Sequence, residues 1–177
     1  MEVSGIPGPN SMMMEKRSII GLLLGLVFSF SNVSRGQEQS ESKDYQYALI
    51  EAVKQKNLGN LSEAIKLYGL VIKDQPDCAV AYYEAGSIYL ATNQLDLSRT
   101  YLQKAYLLDS DNEWYTMAYL NALGAREEYD EAVSILKEKI DNDPGKTEWE
   151  FKLAVTYFTM GKPGKARKIL EKIEKEK

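Results

Sequence analysis

The chain has 177 residues, 44% of them apolar, and a formal net charge of −4. That is enough material for one domain with a real core, and it leaves no basic footprint for nucleic acid. There is no histidine and a single cysteine, Cys78, which excludes a His-based triad, His/Cys metal sites and an internal disulfide. No catalytic residue, no metal ligand and no cofactor is therefore expected.

The first element is a leader. Lys16 and Arg17 precede a mostly apolar stretch from Ile19 to Phe30, and small and polar residues follow up to Gly36. This is the three-part layout of a secretory signal peptide, and it is shorter than the roughly 20 apolar residues of a spanning helix. Residues 1–36 are expected to be cleaved before Gln37, after the small residues Ser34 and Gly36, with a retained N-terminal anchor as the alternative. Met12, Met13 and Met14 are alternative starts. The protein is thus expected to be exported, to a bacterial periplasm or the exterior, or to be held by the apolar segment, with no other lipid contact. Without residues 1–36 the chain keeps 19 Lys+Arg against 24 Asp+Glu, a net charge of −5. Residues 37–44 read as a short linker.

From residue 45 onward the chain repeats itself every 34 residues. Ala64, Ser98, Ala132 and Ala166 keep that interval, as do Tyr68, Leu102, Leu136 and Leu170. Gly59, Asn93, Glu127 and Gly161 keep it in a turn zone, and Pro76, Ser110 and Pro144 in another. A period of this size with helical patterning inside it is the signature of a helix–turn–helix array.

The units read 45–78, 79–112, 113–146 and 147–177. In the first, Asn60 with Glu63 reads as the cap of the second helix, and Pro76 stops that helix. Cys78 is expected to be a quiet, partly buried thiol beside the turn. The second unit contains "AYYEAGSIYL". In the third, Ala132, Ile135, Leu136 and Ile140 form one apolar stripe. In the fourth, Thr147 with Glu150 reads as a capping box and Pro163 opens the last helix. Asp109, Asp111, Asp141 and Asp143 belong to turns, where capping explains them without calcium. The charged runs "KEKIDND" and "EKIEKEK" read as solvated faces with i,i+4 pairs worth a few tenths of a kcal/mol each.

Tyr82, Ala85, Gly86 and Tyr89, with Leu153, Ala154 and Tyr157 in the matching places two units on and Gly161 at the turn after them, carry a resemblance to the tetratricopeptide repeat family. It extends over residues 45–177. The third unit departs from the family pattern at Leu120, where a small residue usually lets paired helices approach, and the first departs at Glu51 and Gln55. The resemblance implies an all-α, right-handed α-solenoid of about four helix–turn–helix units, its first helices lining a concave face. In the family that face holds an extended peptide or a partner's helix.

Aligned by that pattern, the face presents Leu49, Ile50 and Val53, then Tyr83, Ser87 and Leu90, then Trp114, Met117 and Asn121, then Phe151, Val155 and Phe158. The aromatic residues either line a groove for a partner or pack between repeats. The Lys/Asn/Arg clamp by which some members hold acidic chaperone tails is absent, since its places carry Leu49, Val53, Glu84, Trp114 and Ala118. The expected function is a non-catalytic protein–protein interaction module, an exported adaptor or assembly factor with a polypeptide partner. The alternative is a self-associating scaffold. It rests on Ile169, Leu170 and Ile173, which lie on a last helix with no polar cap helix after it.

Overall fold

A computed structural model describes residues 45–175; the segments read as leader and linker lie outside the described residues. Those residues form eight α-helices and no strand. Helix α1 covers 45–57, α2 Leu61–Asp74, α3 Ala79–Ala91, α4 Leu95–Leu108, α5 Glu113–Ala125, α6 Tyr129–Asn142, α7 Thr147–Thr159 and α8 Pro163–Lys175. Helices of about 14 residues are marginal alone in water. Here α2 to α8 each pack on their neighbours in sequence, and α3 also reaches α5, the arrangement of an α-solenoid.

The turns explain the spacing. Those after α1, α3, α5 and α7 each contain one residue with positive φ: Gly59 (82°), Asn93 (58°), Glu127 (60°) and Gly161 (71°). The residue that follows donates its amide five places back: Asn60 N to Gln55 O (2.9 Å), Gln94 N to Tyr89 O (2.8 Å), Glu128 N to Leu123 O (2.9 Å) and Lys162 N to Tyr157 O (2.9 Å). This is the left-handed helix stop that reverses the chain while satisfying carbonyls. The turns after α2 and α6 contain Pro76 and Pro144, and Pro163 opens α8.

Capping differs from the sequence expectation. Asn60 precedes α2, but its backbone (φ −80°, ψ 61°) lacks the extended shape of a side-chain cap, and its Nδ2 donates instead to Gln55 Oε1 at 2.7 Å. Thr147 is the first residue inside α7, with Lys146 at the cap position. Glu150 faces α8, where Lys172 Nζ donates to its Oε1 at 2.6 Å, so the Thr147–Glu150 box does not form. Asn112 does cap: its backbone is extended and its Oδ1 accepts from Trp114 N at 3.1 Å.

The core follows the 34-residue register. Ala64, Ser98, Ala132 and Ala166 are buried, as are Tyr68, Leu102 and Leu136. The small residues fix how near the helices come. A methyl group on Gly86 would stand 2.7 Å from Leu102 Cγ, so α3 and α4 meet closely, as do α7 and α8 across Ala154. Leu120 occupies the same register, and α5 and α6 pack less closely than either of those pairs. An isobutyl group at this register needs room that a glycine or alanine does not, and Leu120, Ala132 and Leu136 line the gap between the two helices.

Charged side chains tie one unit to the next. Lys56 Nζ meets Glu84 Oε2 at 2.6 Å; Arg99 donates to Glu128 Oε2 (2.6 Å) and Glu131 Oε2 (2.9 Å). Tyr119 OH donates to the other Glu131 oxygen, and burial, then that bond, pushes the phenol well above its ordinary range. Lysines of the charged runs also reach across helices: Lys139 donates to the Ser110 carbonyl and Lys172 to Glu150. Long lysine stems lie along neighbouring helices and place the ammonium beside acceptors there.

Candidate functional site

The odd-numbered helices α3, α5 and α7 share one face, and two hollows open on it. The larger, about 640 Å³, lies between α3 and α5 and is lined by Tyr83, Ser87, Leu90, Trp114, Met117 and Asn121, with Glu113 and Glu148 at its rim. The second, about 410 Å³, lies among α5, α6 and α7; its floor is Leu120, Ala132 and Leu136 and its walls include Met117, Asn121, Gly124, Phe151, Lys152 and Val155. Met117 and Asn121 belong to both, so the hollows adjoin.

Eight of the twelve residues expected on this face line one hollow or the other. Phe158 lies outside both yet is 69% exposed at the α7 end of the same face. Leu49 and Val53 of α1 are half-buried and line neither hollow; Ile50 is exposed. Glu84, one of the clamp places, is engaged with Lys56.

Whether the aromatic residues line a groove or pack internally resolves residue by residue. Trp114 is 76% exposed and Phe151 55% exposed, with Val155 also open to solvent. Tyr83 packs on Tyr115, ring centroids 5.2 Å apart, and offers the groove one edge. Trp149 is a core residue, with the Lys146 ammonium 5.4 Å from its ring. Tyr115 and Lys152 escaped the sequence reading. Tyr115 carries an ordinary core signature, and nothing in a linear charge pattern marks Lys152.

The electrostatics of the face are sparse. Glu113 is paired with Lys146. Lys152 is half-buried in the wall of the smaller hollow, and among the described residues its ammonium has no acidic or hydrogen-bonding partner. Among the described residues no group of three or more His, Cys, Asp or Glu is placed to hold a metal ion. The face offers apolar contact and a few polar groups, which is equipment for recognition rather than bond-making.

The sequence profiles of tetratricopeptide repeats match residues 51–113 and 125–177. The chain belongs to the tetratricopeptide repeat family, whose members are typically non-catalytic protein-interaction modules. Comparison with the sequences of curated proteins gave no match. Among solved structures the chain is similar to MamA from Desulfovibrio magneticus RS-1, at 17% identity and a TM-score of 0.62 over 74% of each chain. It is similar to MamA of AMB-1 at 21% identity and a TM-score of 0.63, over 74% of this chain and 72% of that one. A tetratricopeptide repeat protein from Parabacteroides merdae ATCC 43184 aligns at 21% identity with a TM-score of 0.55, over 75% of this chain and 52% of that one. At these identities the likeness is one of fold.

Proposed function

We propose that this protein is an exported adaptor or assembly factor that holds a segment of another polypeptide along the face of α3, α5 and α7. The observation that carries the reading is the row Trp114, Phe151, Val155 and Phe158, large apolar side chains left in solvent on one face. Contiguous apolar surface of this kind marks interaction sites, and exposed aromatic residues supply most of the energy at such contacts. The leader-like residues 1–36 support export to an envelope compartment, or tethering there.

The test places a photo-crosslinking amino acid at Asn121, which is exposed and borders both hollows, in the native compartment and identifies the captured polypeptide by mass spectrometry. A defined partner is expected, lost in the Trp114→Ala/Phe151→Ala double variant while helicity and melting stay unchanged. Capture that survives the double variant would remove this face from the function. N-terminal sequencing of the exported protein should begin at Gln37.

A second reading, self-association through α8, has its own supporting observation. Leu170 is 43% exposed although Tyr68, Leu102 and Leu136 at the same register are buried. Light scattering over a concentration range should then show a dimer that Leu170→Lys dissociates.

A further inference from the structure

We propose that the hollow floored by Leu120 is an anchor pocket that takes one large apolar side chain of the bound segment, with an acidic residue beside that anchor meeting Lys152. The inference rests on the reading of this face as a polypeptide-binding groove and adds the chemistry of what binds.

The pocket coincides with one departure from the repeat register. Where Gly86 and Ala154 stand in pairs that close tightly, Leu120 holds the same register in the loosely packed pair α5 and α6, and it shares the lining of the gap with Leu136. This space, about 410 Å³ and floored by Leu120, Ala132 and Leu136, communicates with the main groove through Met117 and Asn121. A segment lying along the groove therefore passes its mouth and can send a Leu, Met or Phe side chain inward. Such a side chain would meet apolar atoms on the floor and the Phe151 ring on the wall, the desolvated setting in which a single contact dominates affinity.

Charge fixes what lies beside the anchor. Lys152 is the charged residue in the pocket wall, half-buried and without a partner among the described residues. An ammonium in partly apolar surroundings gains more from a carboxylate than one in open water does. The main groove carries the opposite sign at Glu148, Glu113 being paired with Lys146. The segment that fits is thus apolar at the anchor, acidic where it passes Lys152, and neutral or basic one turn nearer the start of α7, where Glu148 stands.

The experiment uses the full-length chain and a panel of short fluorescent peptides in which one position is Leu, Phe or Ala and its neighbour is Glu, Gln or Lys. Peptides with Leu or Phe beside Glu are expected to bind at least about tenfold tighter than the Ala peptides. A Cβ on Gly124, which lines the pocket, meets nothing within 4 Å, so Gly124→Leu is the variant expected to occupy the pocket while leaving the helix in place. It should erase the anchor preference while melting stays the same or rises. Lys152→Glu should reverse the preference for an acidic neighbour, and Trp114→Ala should weaken all peptides alike. Binding that is sensitive to Trp114→Ala but indifferent to the anchor and to Gly124→Leu would overturn the pocket and leave the groove standing. Absence of binding by every peptide would overturn both.

Discussion

Gly86 and Leu102 meet so closely that a methyl group on the glycine would lie 2.7 Å from Leu102 Cγ, 2.9 Å from Cδ2 and 3.1 Å from the Leu102 backbone nitrogen. The Cγ and Cδ2 atoms could retreat only by a change of the packed Leu102 rotamer, and the backbone nitrogen only with α4. Gly86→Ala should therefore lower stability by about 1–2 kcal/mol through overpacking, net of the roughly 1 kcal/mol that alanine gains in a helix. Thermal unfolding followed by circular dichroism measures it, and an unchanged or higher melting point would refute the close approach.

Glu127 holds a left-handed backbone (φ 60°) where Gly59 and Gly161 stand in the matching turns. A side chain with a Cβ is strained in that region. Glu127→Gly should raise stability by about 0.5–1 kcal/mol, and Gly161→Ala should lower it by a similar amount. Chemical denaturation with unchanged m-values is the check.

Ser98 is fully buried, and its hydroxyl has no hydrogen-bond partner. The same register carries Ala64, Ala132 and Ala166. Ser98→Ala removes an unsatisfied polar group without opening space, so a gain of about 1 kcal/mol is expected. A loss would show that the hydroxyl is satisfied in solution.

Glu128 accepts from Arg126 Nε at 2.7 Å and from Arg99 Nε at 2.6 Å. The bond from Arg126, reinforced by Arg99 and opposed by partial desolvation, holds its carboxyl below the usual range. A carboxylate whose folded value is depressed stabilises the fold above the unfolded value, about 4.3, and loses that contribution as pH falls through the folded value. Wild-type protein should thus lose stability from about pH 4.3 downward more steeply than Glu128→Gln. Equal slopes in acid titrations of melting temperature would remove Glu128 from the pH response.

Much of the architecture was legible because the period of 34 is itself a physical statement. Gly59, Asn93, Glu127 and Gly161 were picked out by spacing, and all four prove to be the left-handed residues that reverse the chain. The apolar stripe through Ala132 and Leu136 was equally readable. Caps were not, because a one-residue shift in where α7 starts moves Thr147 from cap to helix and turns Glu150 toward α8. The charges of α6 and α8 were legible as solvated faces, but a linear string hides partners in adjacent helices, as with Lys139 and the Ser110 carbonyl. The face of α3, α5 and α7 was foreseen in outline, yet the hollow beside Leu120 was not. The odd residue was visible, but the helix separation at its register needs three dimensions.

The polar links described above join residues no more than 33 positions apart, and the close helix contacts lie between near neighbours. Among the described residues no long loop is closed on the way to the native form, and so low a contact order favours rapid folding of the array. Rupture would then spread along the stack from whichever joint is slackest. The space beside Leu120 puts that joint in the interior of the array, so the region that receives a guest side chain is also the natural point of elastic give.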